Sequence, residues 1–74
     1  MERTGNLKGD FGLRIRKLLI EQNLSMRALA TRSGLESSQV QKIASGQVNI
    51  TLKTVEALAK GLNISVAKLF SEFE

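Results

Sequence analysis

Seventy-four residues are one domain at most, and a chain this short usually needs a disulfide, a metal or a second subunit to stay folded. Cys and His are absent, which excludes disulfides, thiolate and imidazole metal sites, and any Ser-His or Cys-His catalytic pair; oligomerisation is the staple that remains. The 42% hydrophobic content describes a folded chain, and 11 basic against 7 acidic residues (net +4) leave it basic, as nucleic-acid binders and plain soluble surfaces both are.

Residues 1–9 are polar, hold two glycines and show no periodicity, so they read as a flexible N-terminal arm ahead of a single domain over 10–74. From Asp10, a plausible N-cap, the helical period begins. Phe11, Ile15, Leu18, Leu19 and Gln22 fall on one face, with Arg14, Arg16, Lys17 and Glu21 on others. Asn23-Leu24-Ser25 interrupts, and Ser25 caps a second, short helix in which Met26, Leu29 and Ala30 face in while Arg27 and Arg32 face out. Ser33-Gly34-Leu35 is a tight turn, Gly34 supplying a positive φ.

A third helix runs from about Ser37 to Ser45 and ends at Gly46; Gln47-Val48-Asn49-Ile50 is a loop. Thr51 caps a fourth helix with an apolar stripe of Leu52, Val55, Leu58, Ala59 and Leu62, and Asn63 ends it in a left-handed conformation. Ser65 caps a fifth, Val66 to Phe73, with Val66, Leu69, Phe70 and Phe73 apolar. No strand pattern, repeat or proline intervenes, so the fold class is all-α: five short helices.

Function concentrates between Met26 and Ile43. Two helices joined by a short turn containing Gly are a helix-turn-helix. Ala30 is small enough for the crossing, Gly34 makes the turn, and Val40 and Ile43 face back. At ~100° per residue, with Ser37 at zero, Gln41, Ser38 and Lys42 fall near ~40°, ~100° and ~140°, while Ile43 and Val40 lie near ~240° and ~300°. Ser37, Ser38, Gln41 and Lys42 therefore share an outer arc of hydroxyls, an amide and an ammonium. Such groups can hydrogen-bond base edges in the major groove, amide to adenine, Lys to guanine, Ser to either. The alternative is an ordinary solvated face.

The pattern Ser25-x-x-x-Leu29-Ala30-x-x-x-Gly34-Leu35, then Val40-x-x-Ile43-x-x-Gly46, then Leu52-x-x-Val55-x-x-Leu58-Ala59-x-x-Leu62-x-Ile64-Ser65 and Leu69-Phe70, resembles the phage-repressor and Cro type of helix-turn-helix, the XRE-like bacterial and phage regulators. Gly12 to Leu18 fits as helix one, so the resemblance spans about residues 11–70. It implies a compact five-helix lambda-repressor-like domain. It also implies a transcriptional regulator that binds double-stranded DNA sequence-specifically as a homodimer on an operator, its third helix in the major groove. The base-reading candidates then become Ser37, Ser38, Gln41 and Lys42. Ser25, Arg27, Gln39, Ser45, Gln47 and Asn49 sit where the family contacts phosphates. In size the chain is similar to the controller proteins of restriction–modification systems.

Three departures from the family pattern carry expectations. Met26 replaces a Gln that anchors to phosphate, so the anchor passes to Arg27 or to helix-terminal amides. Glu36 replaces the Ser or Thr cap of the third helix; it caps, faces solvent, or reads a cytosine amino group. Leu19 and Ala44 replace a common internal ion pair, and are expected close together in the core.

At the C-terminal end, Phe70 is expected in the core, while Val66, Leu69 and Phe73 form a dimer seam. A second reading, an antitoxin or other interaction module, keeps the same fold. No apolar run approaches the ~20 residues of a membrane span, and no signal core or lipidation motif is present. The chain is expected to be complete, cytoplasmic and not an enzyme, with no metal, cofactor or small-molecule ligand.

Overall fold

A computed structural model describes residues 7–47 and 50–71. Five helices follow in order: α1 Leu7–Glu21, α2 Met26–Ser33, α3 Ser37–Ala44, α4 Leu52–Leu62 and α5 Val66–Leu69. The third element of the sequence reading, about Ser37 to Ser45, is α3 with Ser45 as its C-cap.

The start of α1 differs from expectation. The helix begins at Leu7, so Asp10 lies in its first turn rather than at a cap, where its charge still suits the helix dipole. Of the proposed arm, Leu7 to Gly9 is helical and residues 1–6 lie outside the described residues.

The middle caps follow the sequence closely. The hydroxyls of Ser25, Thr51 and Ser65 accept from the amides of Ala28, Thr54 and Lys68, closing the first turns of α2, α4 and α5. Four helix ends turn through a left-handed residue: Asn23, Gly34, Gly46 and Asn63. After each, the next amide reaches back to a carbonyl five residues earlier: Leu24 to Leu19, Leu35 to Ala30, Gln47 to Lys42 and Ile64 to Ala59. Three of those next residues, Leu24, Leu35 and Ile64, are apolar and pack against the core, so each turn is also a hydrophobic latch. Asn23 was not foreseen as such a residue.

The core joins Phe11, Ile15, Leu18 and Leu19 of α1 to Leu29 and Ala30, Val40 and Ile43, Val55, Leu58, Ala59 and Leu62, and Leu69. α2 is the hub, packed on both α3 and α4, while α1 packs on α3 and α5 on α4. Phe70 is half-buried, its ring 5.4 Å from that of Phe11.

Backbone contact fixes two of these seams. A Cβ at Gly12 would come 2.6 Å from the Ala44 carbonyl oxygen, so only glycine lets α1 lie this close to the end of α3. Gly61 in α4 is likewise covered by the Ser33 hydroxyl of α2. Leu19 and Ala44 are both buried, as expected of an apolar replacement for an ion pair. Leu19 belongs to the main cluster, and the Ala44 carbonyl lies against Gly12 of the same helix α1 that carries Leu19.

Arg14 corrects the sequence reading most sharply. Expected on a face other than the apolar one, it is 7% exposed. Its Nε donates to the Leu69 carbonyl at 3.0 Å and one terminal nitrogen to the Lys68 carbonyl at 2.9 Å. Gln22, expected on the apolar stripe, is exposed and donates from Nε2 to the Leu62 carbonyl at 2.8 Å. The side chains of Arg14 in α1 and of Gln22 just after it thus reach carbonyls at the ends of α5 and α4. α5 ends at Leu69 with Phe70 as its C-cap, short of the expected Val66 to Phe73, and Phe73 itself lies outside the described residues. The Lys68 carbonyl accepts from Arg14 and from the amide and hydroxyl of Ser71.

Candidate nucleic-acid interface

The site begins with how α3 is held. Val40, Ile43 and Ala44 are buried, at 0%, 2% and 3% exposure. They fix one side of the helix to α1 and α2, and the other side carries Ser38, Gln41 and Lys42, all exposed, with Ser37 half-buried at the margin. The arc drawn from the sequence is therefore an outward face, with Ser37 set further in than the other three. Gln39 is exposed on the next strip round.

α2 presents its N-terminus close by in the chain. Ser25 is exposed; its oxygen accepts from the Ala28 amide, which leaves its O–H able to donate outward. Arg27 is exposed, and the first amides of α2 have no partner within the helix. Met26, which replaces the family's Gln, is half-buried against the core. It contributes packing rather than a polar anchor.

After α3, Ser45 and Gln47 are exposed. The Ser45 hydroxyl donates to the Gln41 carbonyl at 2.9 Å, so its one donor is spent inside the helix. Phosphate oxygens only accept, and Ser45 has nothing to give one while that bond stands. Asn49 lies outside the described residues.

Glu36 occupies the N-cap position of α3, with extended backbone at φ −89° and ψ 149°. Its main-chain carbonyl accepts from the amides of Gln39 and Val40, yet its carboxylate makes no capping bond. The capping role weighed from the sequence is absent. The side chain is exposed.

A helix-turn-helix with a seated second helix and a polar outer face, on a basic chain, matches known proteins along nearly its full length. A family described as Helix-turn-helix covers residues 15–69. The chain belongs to that family. These helix-turn-helix proteins are XRE-type DNA-binding transcription regulators, not enzymes. Control protein C.MunI of Mycoplasma sp is 31% identical over 70 residues, 93% of this chain and 95% of that protein. The crystal structure of the restriction-modification controller protein C.AhdI from Aeromonas hydrophila superposes with a TM-score of 0.82 at 38% identity, covering 85% of this chain and 91% of that one. The wild-type controller protein C.Esp1396I gives 0.83 at 27% identity over 95% and 88%. The five-helix, lambda-repressor-like fold is that of these controller proteins.

Of the proposed dimer seam, Val66 is 41% exposed at the start of α5. Leu69 is enclosed by its own chain at 0% exposure, so it has no surface to lend a second subunit; its place is in the core. Phe73 lies outside the described residues. Leu52, expected on the buried stripe of α4, is 82% exposed. It is the first residue after the Thr51 cap, nearly a turn before Val55, the first buried position of that helix. Among the described residues no helix is long and apolar enough to cross a membrane, and no group of His, Cys, Asp or Glu could hold a metal.

Proposed function

We propose that this helix-turn-helix protein controls the transcription of restriction–modification genes by occupying an operator as a homodimer. The observation that carries the reading is α3, seated by Val40, Ile43 and Ala44 and presenting Ser38, Gln41 and Lys42 outward, in a chain that aligns with C.AhdI and C.MunI over most of its length. The N-terminal part of α3 enters the major groove, where Gln41 and Lys42 pair with purine edges and Ser37 and Ser38 supply hydroxyls.

Around that helix, Ser25, Arg27, Gln39, Gln47 and Asn49 contact phosphates and set its register. Ser45 is left out of this set, because its hydroxyl is already bonded. A dimer seam through Val66 and Phe73 places two α3 helices on one face of the duplex and supplies the second subunit that a 74-residue chain without disulfides or metals calls for.

The test is selection from a randomised duplex pool at moderate salt, followed by sequencing. An enriched inverted repeat, its half-sites about one helical turn apart or a multiple of that, is the expected result. Retention of DNA that is salt-sensitive but shows no enriched motif overturns the reading and moves the same fold to a protein-interaction role.

A further inference from the structure

We infer that Glu36 is a specificity-determining residue, and that its carboxylate reads the exposed amino group of a cytosine at one position in each half-site. This rests on the operator-binding reading above and adds to it a residue outside the helical arc.

Glu36 is the single acidic side chain between Gln22 and Val55, the stretch that holds the whole helix-turn-helix. A negative charge there opposes phosphate at every sequence, because binding to duplex DNA draws on neutralising phosphate charge. That general cost is offset where the residue returns something specific.

Among the described residues no hydrogen bond uses the carboxylate, and what it gives the fold is its charge at the N-terminus of α3. The other N-caps of the middle and C-terminal helices, Ser25, Thr51 and Ser65, each spend their side-chain oxygen on an amide of their own helix, whereas Glu36 spends none. No hydrogen bond or ion pair from any described residue engages it, although Arg27, Arg32 and Lys42 lie on the same two helices. It is exposed, at the end of α3 that leads into the groove, directly before Ser37 and Ser38.

An ionised carboxylate only accepts hydrogen bonds. In the major groove guanine offers N7 and O6 and thymine offers O4, all acceptors, which repel it. Cytosine offers N4–H₂, a donor with no acceptor beside it on its own edge, and is the partner that suits a carboxylate. Adenine's N6–H₂ sits next to N7, which suits an amide better.

The experiment compares the wild-type protein with E36Q and E36A, first by selection from one randomised duplex pool, then by direct titration. The duplexes for titration are the selected operator and copies changed at single positions. The wild-type motif is expected to demand cytosine at one position per half-site, at about tenfold over the other bases. E36A loses that demand while the rest of the motif stands. E36Q shifts the preference toward adenine. Both variants bind non-specific duplex more tightly than the wild type.

If all three proteins enrich the same motif, and the variants gain affinity by one factor on every duplex, Glu36 is only an electrostatic burden and the inference falls alone. If the wild type enriches no motif, the inference falls together with the operator-binding reading. The two failures are therefore distinguishable in a single data set.

Discussion

The Arg14 Nε donates to the main-chain carbonyl of Leu69 across 55 positions of sequence, and this bond ties the first helix to the last. It gives a buried cation a use. The guanidinium presents a planar fork of donors, and the Leu69 and Lys68 carbonyls stand at the end of α5 where no helical amide remains to meet them. Removing the fork takes the donor from the buried Leu69 carbonyl, at about 1–3 kcal/mol for such a group, while the Lys68 carbonyl keeps Ser71. Arg14→Ala is expected to lower the melting temperature by roughly 10 °C or more, since about 1 kcal/mol moves a domain of this size by 4–8 °C. Arg14→Lys should recover only part of that, because an ammonium cannot span two carbonyls in one plane. Thermal unfolding followed by circular dichroism decides it; a melting temperature unchanged in Arg14→Ala would show that the fork contributes nothing to stability.

How far the sequence could be read is clear from the same helix. The apolar period of α1 identified its core residues, because burial repeats at three and four whatever lies opposite. It could not identify Arg14. On a helical wheel that residue sits beside the buried face, and only the arrival of α5 decides whether the edge is wet or dry. The same limit explains Leu69 and Leu52. Both are apolar at helical spacing, but one ends under α1 and the other stands before the first covered turn of α4. The Gly34 and Asn63 turns were legible because glycine and asparagine tolerate left-handed backbone. The outer face of α3 was legible because Val40 and Ile43 fixed its opposite side.

Gly12 tests whether α1 must approach α3 at backbone distance. Alanine is the better helix former by about 1 kcal/mol, so propensity alone predicts that Gly12→Ala stabilises. The structure predicts the reverse. A Cβ there meets the Ala44 carbonyl at 2.6 Å and that of Ile43 at 2.7 Å, and backbone cannot step aside cheaply. A net loss of about 1–3 kcal/mol is expected, as for other overpacked sites. Because the displaced element is α3, the helix proposed to enter the groove, DNA affinity should fall even at temperatures where the variant is fully folded. Stability by urea unfolding and affinity by titration, measured on one preparation, separate the two effects. A stabilised Gly12→Ala protein would show that the close approach is not required.

Ser33 and Gly61 form a second close seam, between α2 and α4. Among the described residues the buried Ser33 hydroxyl has no hydrogen-bond partner, and it lies where a Cβ at Gly61 would go. An unpaired buried hydroxyl stabilises nothing, so Ser33→Ala should be neutral or stabilising by up to about 1 kcal/mol. Gly61→Ala places a methyl into the same space and should destabilise. The two changes are coupled: Gly61→Ala should cost at least about 0.5 kcal/mol less in the Ser33→Ala background than alone. Full additivity in the four-protein cycle would mean that the hydroxyl is not what fills the space over Gly61, leaving Leu29 and the Ser33 amide as the obstacles.

The proposed dimer seam makes a prediction at Val66. It is exposed in the single chain, so a charged residue there costs the fold little. Val66→Glu should unfold at nearly the wild-type temperature at low protein concentration. The wild-type melting temperature should rise with concentration and that of the variant should not, because association stabilises only the protein that dimerises. Equal concentration dependence in the two proteins would remove Val66 from the seam.

Lys42 and Arg27 should fail in different ways, and the difference tests their assigned contacts. Lys42 lies on the exposed face of α3, within the arc proposed to read bases, whereas Arg27 stands in the first turn of α2, at the helix end proposed to meet phosphate. A phosphate contact carries affinity and no sequence information. Arg27→Ala should therefore weaken binding to every duplex by a similar factor and make the slope of log affinity against log salt shallower by about one. Lys42→Ala should weaken binding to the preferred operator by about 1–3 kcal/mol and relax the choice of base at one position in each half-site, the position at which Lys meets guanine. Titrations of both variants at several salt concentrations, on the operator and on single-position changes, read both quantities. If Lys42→Ala weakened all sequences alike and Arg27→Ala relaxed one position, the two assignments would have to be exchanged, and α3 would lie deeper toward its N-terminus in the groove than its exposed face suggests.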